Sequence, residues 1–481
     1  MMIRRKFSNL VLPLTLSLVL SALLGCASTG RVQLELQQQM VLGDYPMAIQ
    51  LVEDEKEKSF GGKNRLLYYL ERAMLLHVDG QYAESNVAFE EAKRLGREFY
   101  TESLSGQGLS LMTNDYSLDY AGENFERTLI HLFAAMNYSQ LGDSDAALVE
   151  TRQVGEYLRK LQIDTTNENV YQEDAFARYI AAMLYEASGE YDSALVSYKK
   201  AIGAYGVYGT QFSVPQPASL FGNAERIAGR LGSWAQEDLA GLGSLGMARE
   251  IPNGSGELVI LHYNGLAPIK DQTKITIPFS EAWILVLALQ AATDDEANDQ
   301  IGQATAFVGS IQGVDVVSVA FPKYVDRPYT IATLEPRIAN AAQISGPELV
   351  EDIGAIAEKD LEDRKTRIYA KSVARAAIKY AIQKGAQIAA EKAGGDYGAL
   401  LSAGTQIVGN IARYASEQAD KRVWSTLPDK ITMTSVILPA GTHDVDLDFL
   451  TAQSILVESR SFSQVDVPDG GRRFLIVRTV N

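Results

Sequence analysis

Few residues in this chain are placed to do chemistry. Cys26 is the one cysteine among 481 residues, and it directly follows an apolar run. The four histidines, His77, His131, His262 and His443, stand too far apart for a compact metal motif. In "DVDLDF", Asp444, Asp446 and Asp448 alternate along a strand and share one face. Three carboxylates in a row could meet Ca²⁺, but the glycine and distal glutamate of an EF-hand loop are missing. A solvated strand face is therefore expected. "TDDEANDQ" (Thr293–Gln300) reads as an acidic helix N-terminus. No GxSxG elbow, HExxH helix, P-loop or GxGxxG turn occurs. No catalytic residue, metal ligand or cofactor is assigned, and His262 in its apolar strand is expected as a core histidine.

Cys26 is the exception. The chain opens with Arg4, Arg5 and Lys6, and then runs almost wholly apolar from Leu10 to Leu24. That is a basic n-region and a short h-region, too short for a comfortable membrane span. Leu23, Leu24, Gly25 and Cys26 resemble the lipobox of bacterial lipoproteins. The resemblance implies cleavage after residue 25, acylation of Cys26, and a tether over 26–34. Each buried methylene contributes about 0.8 kcal/mol, and two acyl chains already anchor a protein stably. Ala27 and Ser28 follow the cysteine, with no Asp. By the same resemblance this implies sorting to the outer membrane, with the body in the periplasm.

With the leader's three basic residues removed, 41 Lys and Arg face 60 Asp and Glu, a balance of −19. This argues against nucleic acid as a partner, because phosphate binding needs clustered positive charge.

The first half, 35–243, reads as paired helices. Gly43, Gly80, Gly142 and Gly189 occupy one register position, with Ala48, Ser85, Ala147 and Ala194 five residues later. Ala73, Ala135 and Ala182 stand seven before the last three glycines. Phe89 and Tyr198 come nine after Gly80 and Gly189, and Ala92 and Ala201 twelve after. Glycine ends a helix where the chain must turn left-handed. The small residues allow close helix crossing, and the aromatics fill the groove to the next pair. The pattern resembles the tetratricopeptide (TPR) repeat, with uneven spacings of 37, 62 and 47 between the glycines. Tyr45, Tyr82 and Tyr191 are expected to pack these units. From Ala204, "AYGVYGTQFSVPQPASL" breaks the helical period.

Residues 244–256 read as a linker. Beyond them, "ELVILHYNG", "KITIPF", "VDVVSVAFPKY" and "YTIATLE" read as strands, and four more strands run from Lys430 to the C-terminus. A helical insert over about 347–421 stands between. The expected class is α+β: a TPR-like α-solenoid, then an α+β domain (257–481) with a mixed or antiparallel sheet and an inserted helical hairpin. The second arm of that hairpin, Gly394 to Ala412, is glycine-rich; a tight helix pair is expected, with membrane contact or self-association as the other reading.

Two stretches, "YAGENFERTLIHLFAAMNYSQLGDSDAA" and "VWSTLPDKI…LPAGTHDVDL", are similar to an uncharacterised family of bacterial TPR-containing outer-membrane lipoproteins. That resemblance picks out Tyr120, Gly122, Glu123, Phe125 and Glu126, and then Trp424, Leu427 and Pro428, as structural residues or as a contact between the two halves. It carries no activity. The expected role is a periplasm-facing, non-enzymatic scaffold in envelope assembly or export. It would hold an envelope protein or peptide in the repeat groove and touch the membrane through the lipid on Cys26. A glycan- or peptidoglycan-acting enzyme, and a membrane-associated assembly or pore component, are the alternatives.

Overall fold

The computed structural model describes residues 30–105, 116, 118–164, 171, 173–243, 250–290, 301–302, 304–305, 308, 315–392 and 418–481. Cys26 and its leader lie outside them, as do 293–300 and the glycine-rich arm 394–412. The first helix, α1 (30–41), begins inside the stretch expected as tether. Its Val32, Leu36 and Met40, each four residues apart, are buried in the main core. An apolar stripe at that spacing is a helix face seeking a neighbour, so 30–34 are helical where a tether was expected.

Among the described residues of this half, nine more α-helices follow: α2 (Tyr45–Asp54), α3 (Arg65–Val78), α4 (Tyr82–Ser105), α5 (Asn124–Gln140), α6 (Ser144–Asp164), α7 (Ala175–Ala187), α8 (Tyr191–Gln211), α9 (Ala218–Leu231) and α10 (Ser233–Ala240). The α3/α4, α5/α6 and α7/α8 pairs pack along their lengths. Their turns share one construction. Gly43, Gly80, Gly142 and Gly189 have φ of 70°, 81°, 76° and 77°. In each, the residue after the glycine donates its N–H to the carbonyl five residues back, as Gln81 does to Leu76 and Asp143 to Tyr138. This satisfies carbonyls that the helix end would leave open.

Ala48, Ala73, Ser85, Ala92, Ala135, Ala147, Ala182, Ala194 and Ala201 are all buried at these crossings, with Phe89 and Tyr198 beside them. Ser85 Oγ donates to the Ala73 carbonyl at 2.7 Å, closing one crossing. The break expected from Ala204 comes later, at 212–217, because α8 continues through Gly206 and Gly209 to Gln211. Tyr205 and Tyr208 are buried on that last stretch, and their packing overrides the poor helix propensity of glycine.

The second half is α+β. Its elements are β1 (Ser255–Asn264), β2 (Ile269–Pro278), α11 (Phe279–Gln290), β3 (Val316–Val325), β4 (Thr333–Ile338), β5 (Gln343–Ile344), β6 (Glu348–Asp352), α12 (Ile353–Lys392), β7 (Lys430–Pro439), β8 (Gly441–Leu450), β9 (Leu456–Val467) and β10 (Arg472–Thr479). The expected helical insert thus starts later than 347, after a short strand. The main sheet is mixed: β1 is parallel to β10 and antiparallel to β7, and β5 and β6 both pair with β7. The β2–β3 and β4–β8–β9 sheets are antiparallel.

Nine successive residues of β1 are buried. A strand reads this way when both its faces are covered. Val259, Leu261 and Tyr263 join the helices in one core, while Leu258 and Ile260 join the β4–β8–β9 sheet in another. The first core runs without a break from Val32 to Val480, across both halves of the chain. A third core packs α11 and α12 on the antiparallel pair β2–β3. Among the described residues, no helix is long and apolar enough to cross a membrane.

The turn glycines make a paired prediction. A Cβ at Gly80 would meet nothing within 4 Å, so Gly80→Ala carries only the left-handed backbone penalty, about 1–2 kcal/mol. Gly203, exposed within α8, also has open space; Gly203→Ala should stabilise by about 0.5–1 kcal/mol. Urea denaturation should show opposite signs for the two.

Candidate functional site at the joint between the halves

The residues around 120–126 and 423–428 meet in the fold. Gly122, at φ 77°, turns the chain into α5. Glu126, in the first turn of that helix, reaches back to accept the N–H of Glu123 at 2.8 Å. This is half of a capping box. The same carboxylate accepts the Tyr120 hydroxyl at 2.6 Å and, across the chain, the N–H of Trp424 at 2.8 Å. Trp424 is fully buried, edge-on to Phe89 and Phe133 at 6.1 and 6.0 Å. Phe125 packs against Tyr171. Leu427 is buried and its carbonyl accepts the Ala267 N–H at 2.9 Å; Pro428 is buried beside it. The repeat glycines and alanines line the helical array, and of that set Phe89 reaches the joint.

Next to Trp424, the chain runs through the interior outside any sheet. Its polar groups must still be satisfied, and side chains do this from both sides. Glu71 of α3 accepts from Ser425 N and Oγ at 2.8 and 2.7 Å, and from Thr426 N and Oγ1 at 3.0 and 2.7 Å. Arg327 donates to the Ser425 carbonyl at 2.6 Å, and Arg478 to the carbonyls of Thr426 and Leu427 at 3.4 Å. Burial raises the pKa of Glu71, and these four donors oppose that rise.

Glu123 faces the other way. It pairs with Lys270 of β2 and, at 2.7 Å, with Arg364 of α12, which also binds Asp360. Burial would raise the Glu123 pKa, but Arg364 and Lys270 outweigh it and hold the carboxylate ionised. Burial and the charge of Glu123 push Glu126 up to about 7. Asp360, chiefly through burial, stands at about 6. Such a cluster of displaced carboxylates beside a cleft marks a candidate site.

The cleft is at hand. Lys270 lies 5.7 Å from the ring of Tyr324, and Tyr324 lines a groove of about 630 Å³ bounded by Phe212, Phe321 and α12. Glu358 and Glu362 face it, one helical turn apart on α12, and among the described lining residues no other acid faces it. Burial and then Asp326 raise the Glu358 pKa.

The histidines read as core residues in part. His77 is buried with its pKa lowered to about 4 by burial. Its Nδ1 is 2.5 Å from Asn137 Oδ1, and its ring stacks on Tyr263 at 5.7 Å. His262 Nε2 bonds Thr479 Oγ1 at 2.7 Å, but Nδ1 is without a partner among the described residues. On β8, Asp446 accepts from Ser461, Asp448 from Ser459 and Arg337, and Asp444 from the Gln464 N–H. All four are strand-surface contacts.

Glu71, Lys270, Arg364 and Arg327 were not singled out from the sequence. For Glu71 a signal existed: it is the one acid in "LLYYLERAMLL", a stretch otherwise apolar but for Arg72. The other three sit in unremarkable surroundings. No protein-family model matches the sequence, and no curated protein does.

Three donors converge on Glu126, so Glu126→Gln turns an amide NH₂ toward at least one of them. The variant should lose about 1–3 kcal/mol in urea denaturation. A carboxyl raised to about 7 in the fold binds its proton more tightly than in the unfolded chain. Its contribution is therefore complete below about pH 4.3 and is lost as pH rises through about 7. The variant should lack that slope; a slope unchanged from wild type would show that Glu126 does not titrate there.

Proposed function

We propose that this chain is an outer-membrane-anchored, periplasm-facing lipoprotein that acts as a protein-binding scaffold in envelope assembly or export. Its paired helices would form a TPR-like solenoid, as the four matching glycine turns and buried small residues at the crossings support. The observation that carries the scaffold reading is the joint. Side chains of α3 and α5 take the backbone N–H groups of an irregular segment that turns at 425–426, through Glu126 and Glu71. Helical arrays hold peptides with this kind of contact.

Those helices already carry this turn segment of their own chain. Beside it, α7 contacts Arg472 of β10, whose guanidinium lies 3.3 Å from the Glu186 carboxylate. A partner in this reading engages surface outside that face, including the groove over Tyr324.

The lipobox-like residues before Cys26 support the setting. Three residues separate Cys26 from the start of α1 at residue 30, four Cα–Cα steps or at most about 14 Å fully extended. The body would then sit close to the bilayer. The reading assigns no reaction and no cofactor.

Mass spectrometry of the mature chain should find residues 1–25 absent and acyl chains on Cys26, and Cys26→Ser should move the protein to the soluble fraction. A free, unacylated terminus overturns the localisation. A photo-crosslinker at Lys365, on the groove rim, should yield one discrete adduct in the envelope. Loss of that adduct on an adjacent change such as Lys323→Glu would tie it to the groove; a smear identical to that from exposed Val196 would sink the scaffold role.

A further inference from the structure

A second groove, about 260 Å³, opens between α4, α5 and α6. The chain carries a net charge of −16, yet this groove gathers Lys93, Arg97, Arg127, His131 and Lys160. Most of these cations are already engaged. The Lys93 ammonium binds Glu90 and Glu150 at 2.5 and 2.6 Å. Lys160 pairs with Glu156 at 3.1 Å, and Arg97 has a contact of its own.

Arg127 differs. Its guanidinium carbon lies 4.3 Å from the centre of the Tyr100 ring and 4.9 Å from that of Tyr157. Tyr157 is in turn tied through its hydroxyl to Asn124 at 3.3 Å. Among the described residues, no carboxylate pairs with Arg127 and its side-chain N–H groups make no hydrogen bond. Stacking on aromatic rings fixes the plane of a guanidinium and leaves its in-plane donors for a ligand. A planar fork of this kind matches a carboxylate.

His131 supplies the complementary group. Its Nδ1 is 2.8 Å from Glu150 Oε2, and its Nε2 has no partner among the described residues. A neutral ring that donates from Nδ1 offers Nε2 as an acceptor. Ala92, Ile130 and Leu161 form the apolar part of the lining.

We propose that this groove binds the C-terminal residue of a partner protein. Arg127 takes the terminal carboxylate, His131 Nε2 accepts the amide N–H of the same residue, and its apolar side chain lies against Ile130 and Leu161. The donor, the acceptor and the apolar lining together select a peptide end; inorganic phosphate has no apolar side chain for Ile130 and Leu161, and among the described residues its second charge meets no second open cation. The inference takes its setting from the scaffold reading and names the partner's chemistry. It can fail alone, since the lipid on Cys26 and the Lys365 adduct are measured separately.

The test is calorimetric titration of the full mature chain with N-acetyl-Gly-Ala-Leu, as free acid and as amide. The acid should bind and the amide should bind at least about tenfold more weakly, since it loses the charge-assisted pair. Arg127→Ala should reduce binding of the acid about tenfold or more, at an unchanged melting temperature. Should that variant fold poorly, Arg127→Lys keeps the charge but not the fork and should still lose most of the affinity. Equal binding of acid and amide, binding indifferent to Arg127, no binding of the acid at millimolar concentration, or tighter binding of inorganic phosphate would each overturn the proposal.

Discussion

The fold depends on two carboxylates placed where water cannot reach them. Glu71 and Glu126 point from neighbouring helices into the interior, and each would cost several kcal/mol if left bare. Each is satisfied by an irregular segment that arrives from 298 and 354 residues further along the chain, respectively for Glu126 and Glu71. A buried acid that needs backbone N–H groups can be met only by a segment not already committed to a ladder. Hence 423–427 crosses the interior as neither helix nor strand. Its carbonyls, facing the other way, must find donors too, and Arg327 and Arg478 supply them. The helices, the crossing segment and the sheet are therefore fixed by one network rather than by apolar contact alone.

The ion cluster around Glu123 plays a different part. Lys270 and Arg364 come from two elements of the second half, β2 and α12, and converge on one carboxylate of the first. Removing three charges from water is expensive, and their mutual attraction repays it only in good geometry. Such an arrangement contributes little net stability but tolerates little displacement. Its value is registration: β2 and α12 can dock on α5 in one way. The groove over Tyr324 lies directly on this cluster, so its floor is held rigidly.

Much of this was legible in the sequence, in the places where local physics decides. The four turn glycines were readable because a left-handed residue has few alternatives, and the strands because β-branched runs and turn residues bracket them. Tyr120, Glu123, Glu126 and Trp424 were readable as a set, though not as one bonded cluster. What escaped was set by distant partners. Lys270 in "IKDQTKITIP" looks like any strand-surface lysine until Glu123 stands opposite. The end of α8 looked broken because two glycines and the two prolines beyond them suggested punctuation, whereas burial of Tyr205 and Tyr208 keeps it helical to Gln211. Arg127 gave no local hint, since its stacking partners are brought in by α4 and α6.

The pairing of β1 has one more consequence. Its two neighbours, β7 and β10, are supplied by the final fifty or so residues of the chain. The helix pairs, built from near neighbours, can form as soon as each hairpin is available. The central sheet cannot close until the last strand is present, and until then a strand with an apolar sequence has both edges open. A chain that emerges amino end first thus spends its assembly with its greasiest ribbon waiting. During that interval the order of events, rather than the final set of contacts, governs whether copies of the chain associate with each other.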